Sequence, residues 1–184
     1  MAWLAIAVLA AGATCFPVLW SLDIELVRQG DLWRLFCGQL VHLSWQHYCY
    51  DLLALGMALW LCSWLASGFR EITLAILCSA GAVALTMMLL QPVDVYGGLS
   101  GVVAGLLAWA AILLIRRDNH VPGLVLVVGM VIKIRTEQCG VSLSGVEAVW
   151  QAHCAGALAG ALYGVLPHRM ALIVVTKQEA RSTP

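Results

Sequence analysis

The stretch Gly97-Gly98-Leu99-Ser100-Gly101-Val102-Val103-Ala104-Gly105-Leu106-Leu107-Ala108-Trp109 opens on glycines and one hydroxyl, then continues apolar to Ile115. A run of this length without charge reads as a helix in an apolar environment, and Gly97, Gly101, Gly105 and Ala108 place a small-residue stripe along it. A second stretch, His153-Cys154-Ala155-Gly156-Ala157-Leu158-Ala159-Gly160, has the same design, with Gly156, Gly160 and Gly164 as its stripe. Such stripes are ordinary packing surfaces of membrane helices. What sets these two apart is the polar residue at each head, Ser100 bordering the first and His153 opening the second.

Composition supports the membrane reading. The 184 residues suit one domain, and 62% hydrophobic against 11% charged lies outside the soluble range. The chain reads as an all-α polytopic membrane protein whose surroundings are the lipid bilayer. The formal net charge is zero and no Lys/Arg block occurs, which excludes nucleic acid as a partner and a polybasic anchor. The seven cysteines are odd in number, scattered and without a C-x-x-C pair, so they read as small buried hydrophobes. Cys37 and Cys139 fall near segment ends on one side, yet nothing in the sequence requires a bond between them. No cofactor or metal is implied. The first twenty residues lack a basic n-region and a convincing cleavage site, and read as a retained membrane helix.

Six segments approach the roughly 20 apolar residues that a bilayer core requires. They are 2–19, 35–66, 72–90, 98–115, 121–134 and 152–175, separated by the Asp, Glu, Arg, Pro and Asn residues. The fifth is short, with Lys133 and Arg135 at its end, and Pro167-His168-Arg169 interrupts the sixth near Leu166. The expected organisation is one membrane domain over 1–175 and a short polar tail over 176–184. With the N-terminus inside, Arg70, Arg116, Arg117, Arg169, Lys177 and Arg181 are cytoplasmic, while Arg28, Arg34, Lys133 and Arg135 are outside. Six against four gives a slight positive-inside preference. Segments two, four and six then all enter from the outer face, so His42, His47, Ser100 and His153 fall at one depth.

Serine becomes a nucleophile when a neighbouring base takes its proton, so Ser100 with a facing His153 would be the minimum unit for acyl transfer. Taken singly, a serine in such a helix usually hydrogen-bonds its own backbone, and a histidine there is as readily structural as functional. An acyl-transfer site also needs donors for the oxyanion. His47 and Asp51 are four residues apart on one helical face, with His42 about a turn and a half above, and can supply polar groups. Two histidines and an aspartate also resemble a metal set, but H-x4-H is not the i, i+4 spacing of a helical zinc pair. Leu143-Ser144-Gly145 repeats the Leu-Ser-Gly string inside a polar loop, where Ser144 reads as a loop or capping residue. His120 and His168, beside Pro and Arg at segment ends, read as interfacial.

Four motifs in order resemble the rhomboid family of intramembrane serine proteases across about residues 30 to 165. Trp33-Arg34 is similar to the family's Trp-Arg in the first outer loop. His42-x4-His47-x3-Asp51 resembles its H-x4-H-x3-N, Gly98-Leu99-Ser100-Gly101 its G-x-S-G, and His153-x2-Gly156-x3-Gly160 its base-bearing last core helix. The resemblance implies a six-transmembrane-helix bundle with Ser100 as nucleophile and His153 as general base. It further implies His47 and the Leu99–Ser100 backbone region as oxyanion stabilisers, His42 as a supporting residue, Trp33-Arg34 in the membrane-embedded first loop, and the loop 136–149 over the site.

Two positions depart from the family pattern. Asp51 stands where Asn is usual, and a carboxylate donates to an oxyanion only when protonated; either burial keeps Asp51 neutral, or it pairs with His47 and orients it. Ala104 replaces the aromatic residue that many members place one turn after the serine. Leu99-Ser100 and the string Gln39-Leu40-Val41-His42-Leu43-Ser44, in a short chain without a soluble appendage, most resemble the rhombosortase branch. That resemblance implies a bacterial inner-membrane enzyme open to the periplasmic face. Its substrates would be surface or secreted proteins anchored by a C-terminal Gly-Gly, apolar helix and basic tail. The rival readings are an inactive rhomboid-like protein that binds transmembrane helices, and a small transporter using His42, His47 and Asp51 as a proton relay.

Overall fold

The computed structural model describes residues 2–66, 68–141 and 148–166. Among these residues, longer helices fall within each of the six expected segments, with their ends reset by local chemistry. The first, α1 (Ala2–Cys15), stops before Phe16 because Pro17 restricts the residue ahead of it and lacks an N–H; Pro17 then opens the short α2 (Pro17–Trp20). Segment 2–19 is therefore two helices and not one.

The expected span 35–66 also divides. Two short helices, α3 (Ile24–Arg28) and α4 (Arg34–Cys37), and a 3-10 turn (Gly38–Leu40) precede an extended stretch. The long helix α5 (Trp45–Leu65) begins only where Ser44 accepts the His47 N–H at 3.1 Å, a side-chain cap that fixes the start. His42 thus lies before the helix, and His47 and Asp51 in its first two turns.

The remaining helices are α6 (Phe69–Leu90), α7 (Ser100–Arg116), α8 (His120–Gln138) and α9 (Trp150–Val165). At the site end, α8 runs four residues beyond the expected limit, carrying Thr136 and Glu137 into the helix instead of the loop. Among the described residues, α5 and α6 are long and apolar enough to cross a bilayer on those grounds alone. At 1.5 Å per residue, the 17 residues of α7 reach about 25 Å, short of a ~30 Å hydrocarbon core. Ser144 lies outside the described residues, as do His168, the later part of segment 152–175 and the tail.

Helix α7 is the centre of the molecule. Its sequence is apolar all round, and twelve of its residues are buried as it packs against α5, α6, α8 and α9. Its closest partner is α9. A Cβ on Gly156 would collide with the Gly101 carbonyl, and one on Gly160 with the Gly105 carbonyl, so only glycine permits this approach. The two small-residue stripes read from the sequence are indeed the surfaces that meet.

At the far end of α7, Arg116 donates to the Gly164 and Leu166 carbonyls (2.7 and 3.1 Å), and Arg117 to the Leu65 carbonyl (2.5 Å). Two cations thereby satisfy the last carbonyls of α9 and α5. At the other end, β1 (Leu22–Asp23) pairs antiparallel with β2 (Val95–Tyr96), Leu22 opposite Tyr96, and ties the first loop to the entry of α7. Arg34 stitches that loop. It is 5% exposed, bonds Asp31 and the Val18 and Ser21 carbonyls, and stacks over Trp33 at 4.8 Å.

Large apolar side chains remain exposed around the outside, among them Leu53, Trp60 and Trp64 of α5, Leu85 and Leu89 of α6, and Val125 and Val128 of α8. An apolar surface of this extent fits lipid and not water. All seven cysteines, Cys37 and Cys139 included, are free thiols.

Candidate active site

The head of α7 is shaped by Gly98, whose φ of +140° is a backbone state that side-chain-bearing residues rarely adopt. A Cβ there would stand 2.9 Å from His47 Cε1, so glycine also makes room for the imidazole. The chain turns at Gly98-Leu99, and Ser100 becomes the first residue of α7. The first N–H groups of a helix have no intrahelical acceptor, which makes this end a donor surface.

Ser100, His153, His47, Asp51 and Ala104 all line one cavity of about 730 Å³, together with Tyr96, Lys133 and Glu137. His153 sits in the first turn of α9, beside the Gly101–Gly156 contact, and is 4% exposed. No hydrogen bond joins Ser100 to His153 among the described residues. Tyr96, which lines the cavity with Ser100, donates to the Gly98 carbonyl at 3.2 Å. Burial first, and the Asp51 carboxylate second, push the Tyr96 phenol up, against an opposing contribution from Ser100. It therefore stays a neutral donor.

Asp51 is a hub of acceptors. Its Oδ2 accepts the Leu99 N–H at 2.8 Å and lies 3.2 Å from His42 Nε2 and 3.3 Å from His47 Nε2. Of the two alternatives open for this carboxyl, the geometry has it pairing with His47, and with His42 as well. The Leu99 N–H is thus engaged by Asp51. The carboxylate requires the His42 proton on Nε2, which leaves Nδ1 to accept from Thr14 Oγ (3.4 Å); the same hydroxyl accepts the His42 N–H at 3.2 Å. His47 Nδ1 is buried without a partner among the described residues.

His153 Nδ1 meets Glu137 Oε2 at 2.5 Å, and Lys133 holds the other oxygen of that carboxyl. Neither Glu137 nor Tyr96 stands out in the sequence. The available signal for Glu137 was its i, i+4 spacing from Lys133, which continues the helix past the charged residues. Trp33 and Arg34 lie in the first loop, outside the lining of this cavity.

The site thus combines a hydroxyl at a helix N-terminus, an imidazole on the helix packed against it, and a buried carboxylate–imidazole cluster beside both. A comparison with curated proteins finds no match. The family model described as Rhomboid domain matches residues 29–170, which include both stripes and every polar group of the cavity. By that match the chain belongs to the rhomboid family of integral membrane proteins, a family made up largely of intramembrane serine proteases.

Proposed function

We propose that the protein is an intramembrane serine endopeptidase in which Ser100 is the nucleophile and His153 the general base. The observation that carries this reading is the shared cavity: Ser100 and His153 line it from the heads of two helices whose backbones touch at Gly101 and Gly156. The six long helices form one membrane domain, with the N-terminus inside and the site opening to the outer face. Substrate enters laterally near α5 and α8. It unwinds locally, because helical peptide carbonyls are shielded and already paired.

Ser100 Oγ attacks the scissile carbonyl carbon and its proton passes to His153 Nε2, which returns it to the leaving amine. Water, deprotonated by the same nitrogen, then releases the acyl group as a carboxylate. His47 lines the cavity, its Nδ1 has no partner among the described residues, and this imidazole is the proposed donor to the oxyanion. Asp51 and His42 orient it.

Within the family we assign the chain to the rhombosortase branch, on Leu99-Ser100 and Gln39-Leu40-Val41-His42-Leu43-Ser44. Its substrates are then bacterial surface or secreted proteins with a Gly-Gly, apolar helix and basic tail, cleaved at the periplasmic face of the inner membrane. Glycines lower the cost of unwinding such a tail. The test is co-expression with a reporter carrying that tail. Cleavage lost in Ser100→Ala and His153→Ala, with both variants still folded in the membrane, supports the reading; full cleavage by Ser100→Ala removes it.

A further inference from the structure

A Ser-His dyad does not call for a carboxylate on His153, yet the structure provides one. Glu137 Oε2 lies 2.5 Å from His153 Nδ1, and the two side chains are 8% and 5% exposed. Lys133, one turn before Glu137 and half exposed, binds the opposite carboxyl oxygen. Paired with Lys133, the ionised Glu137 carboxylate offers only acceptor oxygens, so in this hydrogen bond His153 Nδ1 is the donor. Lys133 Nζ is also 3.3 Å from Nδ1, but a nitrogen already bearing its in-plane proton cannot accept a second; the lysine's partner is the carboxylate.

With Nδ1 protonated, the imidazole lone pair resides on Nε2, the tautomer that a base for Ser100 needs. The carboxylate also stabilises the imidazolium formed when the serine proton arrives. We propose that Glu137 is a positioning residue that makes the pair a Ser100–His153–Glu137 triad, with Lys133 holding the carboxylate in place. The inference rests on the reading of Ser100 and His153 as nucleophile and base.

The test uses the full chain in detergent micelles and a fluorophosphonate probe. Ser100 Oγ bonds to phosphorus, the P–F bond breaks, fluoride leaves, and the serine proton passes through His153 Nε2 to water. Labelling of wild type but not of Ser100→Ala supports the dyad. An unlabelled wild type removes the dyad, and the triad with it, whatever Glu137 does. Given a labelled wild type, Glu137→Gln is expected to lower the maximal labelling rate on the order of 100-fold or more. The probe's half-saturating concentration should stay unchanged, and Glu137→Asp should recover much of the rate. A salt bridge that merely fastens α8 to α9 predicts no such split, and a wild-type rate in folded Glu137→Gln overturns the proposal. Should that variant fail to fold, nitrogen-15 histidine NMR of the wild type decides. A low-field Nδ1 proton absent from His153→Ala supports the triad; a bare Nδ1 with a protonated Nε2 overturns it.

Discussion

Asp51 Oδ2 takes the Leu99 amide hydrogen at 2.8 Å, so a carboxylate on α5 holds the residue immediately before the serine at the head of α7. The same oxygen receives two imidazoles. One buried side chain therefore fixes the turn, His42 and His47 together. Asp51→Ala leaves three buried donors without an acceptor and should cost about 3 kcal/mol. Asp51→Asn can set its amide oxygen where all three donors converge and loses only the charge that strengthens these bonds, for about 1 kcal/mol. Thermal unfolding in detergent checks both, and the order Ala below Asn below wild type is the diagnostic result.

The glycine contacts yield a contrast within one measurement. Gly156→Ala and Gly160→Ala drive a methyl into a backbone carbonyl of α7 and should destabilise by about 3 kcal/mol or more. At Gly81, within α6, an added Cβ would meet nothing within 4 Å. Gly81→Ala should instead raise stability by about 0.5–1 kcal/mol through helix propensity. Unfolding temperatures moving in opposite directions would bear this out.

Arg117 satisfies a terminal carbonyl of α5 at the end of α7 away from the cavity. Arg117→Met keeps the aliphatic stem and loses the bond, for about 1 kcal/mol of stability. Fluorophosphonate labelling per folded molecule should be unchanged. A loss of labelling without a loss of stability would contradict this placement.

Tyr96 couples pH to stability in a predictable direction. Because burial and Asp51 push its phenol up, the folded state holds that proton where the unfolded chain releases it, from about pH 10 upward. Its contribution is complete below that pH and declines as pH rises through the folded value. Tyr96→Phe should cost about 1 kcal/mol at neutral pH, from the lost bond to the Gly98 carbonyl. The alkaline decline in unfolding temperature should then be shallower in Tyr96→Phe than in wild type.

The packing of α7 on α9 was legible because Gly101, Gly105, Gly156 and Gly160 state it directly: small residues at four-residue steps allow backbone contact. The gathering of His47, Ser100 and His153 at one cavity followed from which segment ends share a side, whereas His42, expected with them, is not in its lining. What stayed hidden depends on short-range decisions that hydropathy does not register. The break before Trp45 is set by a single serine cap. The β1–β2 pairing rests on two residues per strand, too few to show an alternating pattern. Glu137 was concealed because the charges of Lys133 and Arg135 mimic the end of a helix, whereas the Lys133–Glu137 bond lets the helix continue.

Helix α8 packs chiefly on α7 and meets α9 at few places. Gly123 is its one buried residue, seated against the Ala111 carbonyl and Ile115 at the end remote from the cavity. At the cavity end, the bond that His153 Nδ1 donates to Glu137 fastens α9 to α8. Displacing this end of α8 therefore pulls the carboxylate from the imidazole. Under the proposed lateral entry, admission from that side and alignment of His153 would be one mechanical coordinate.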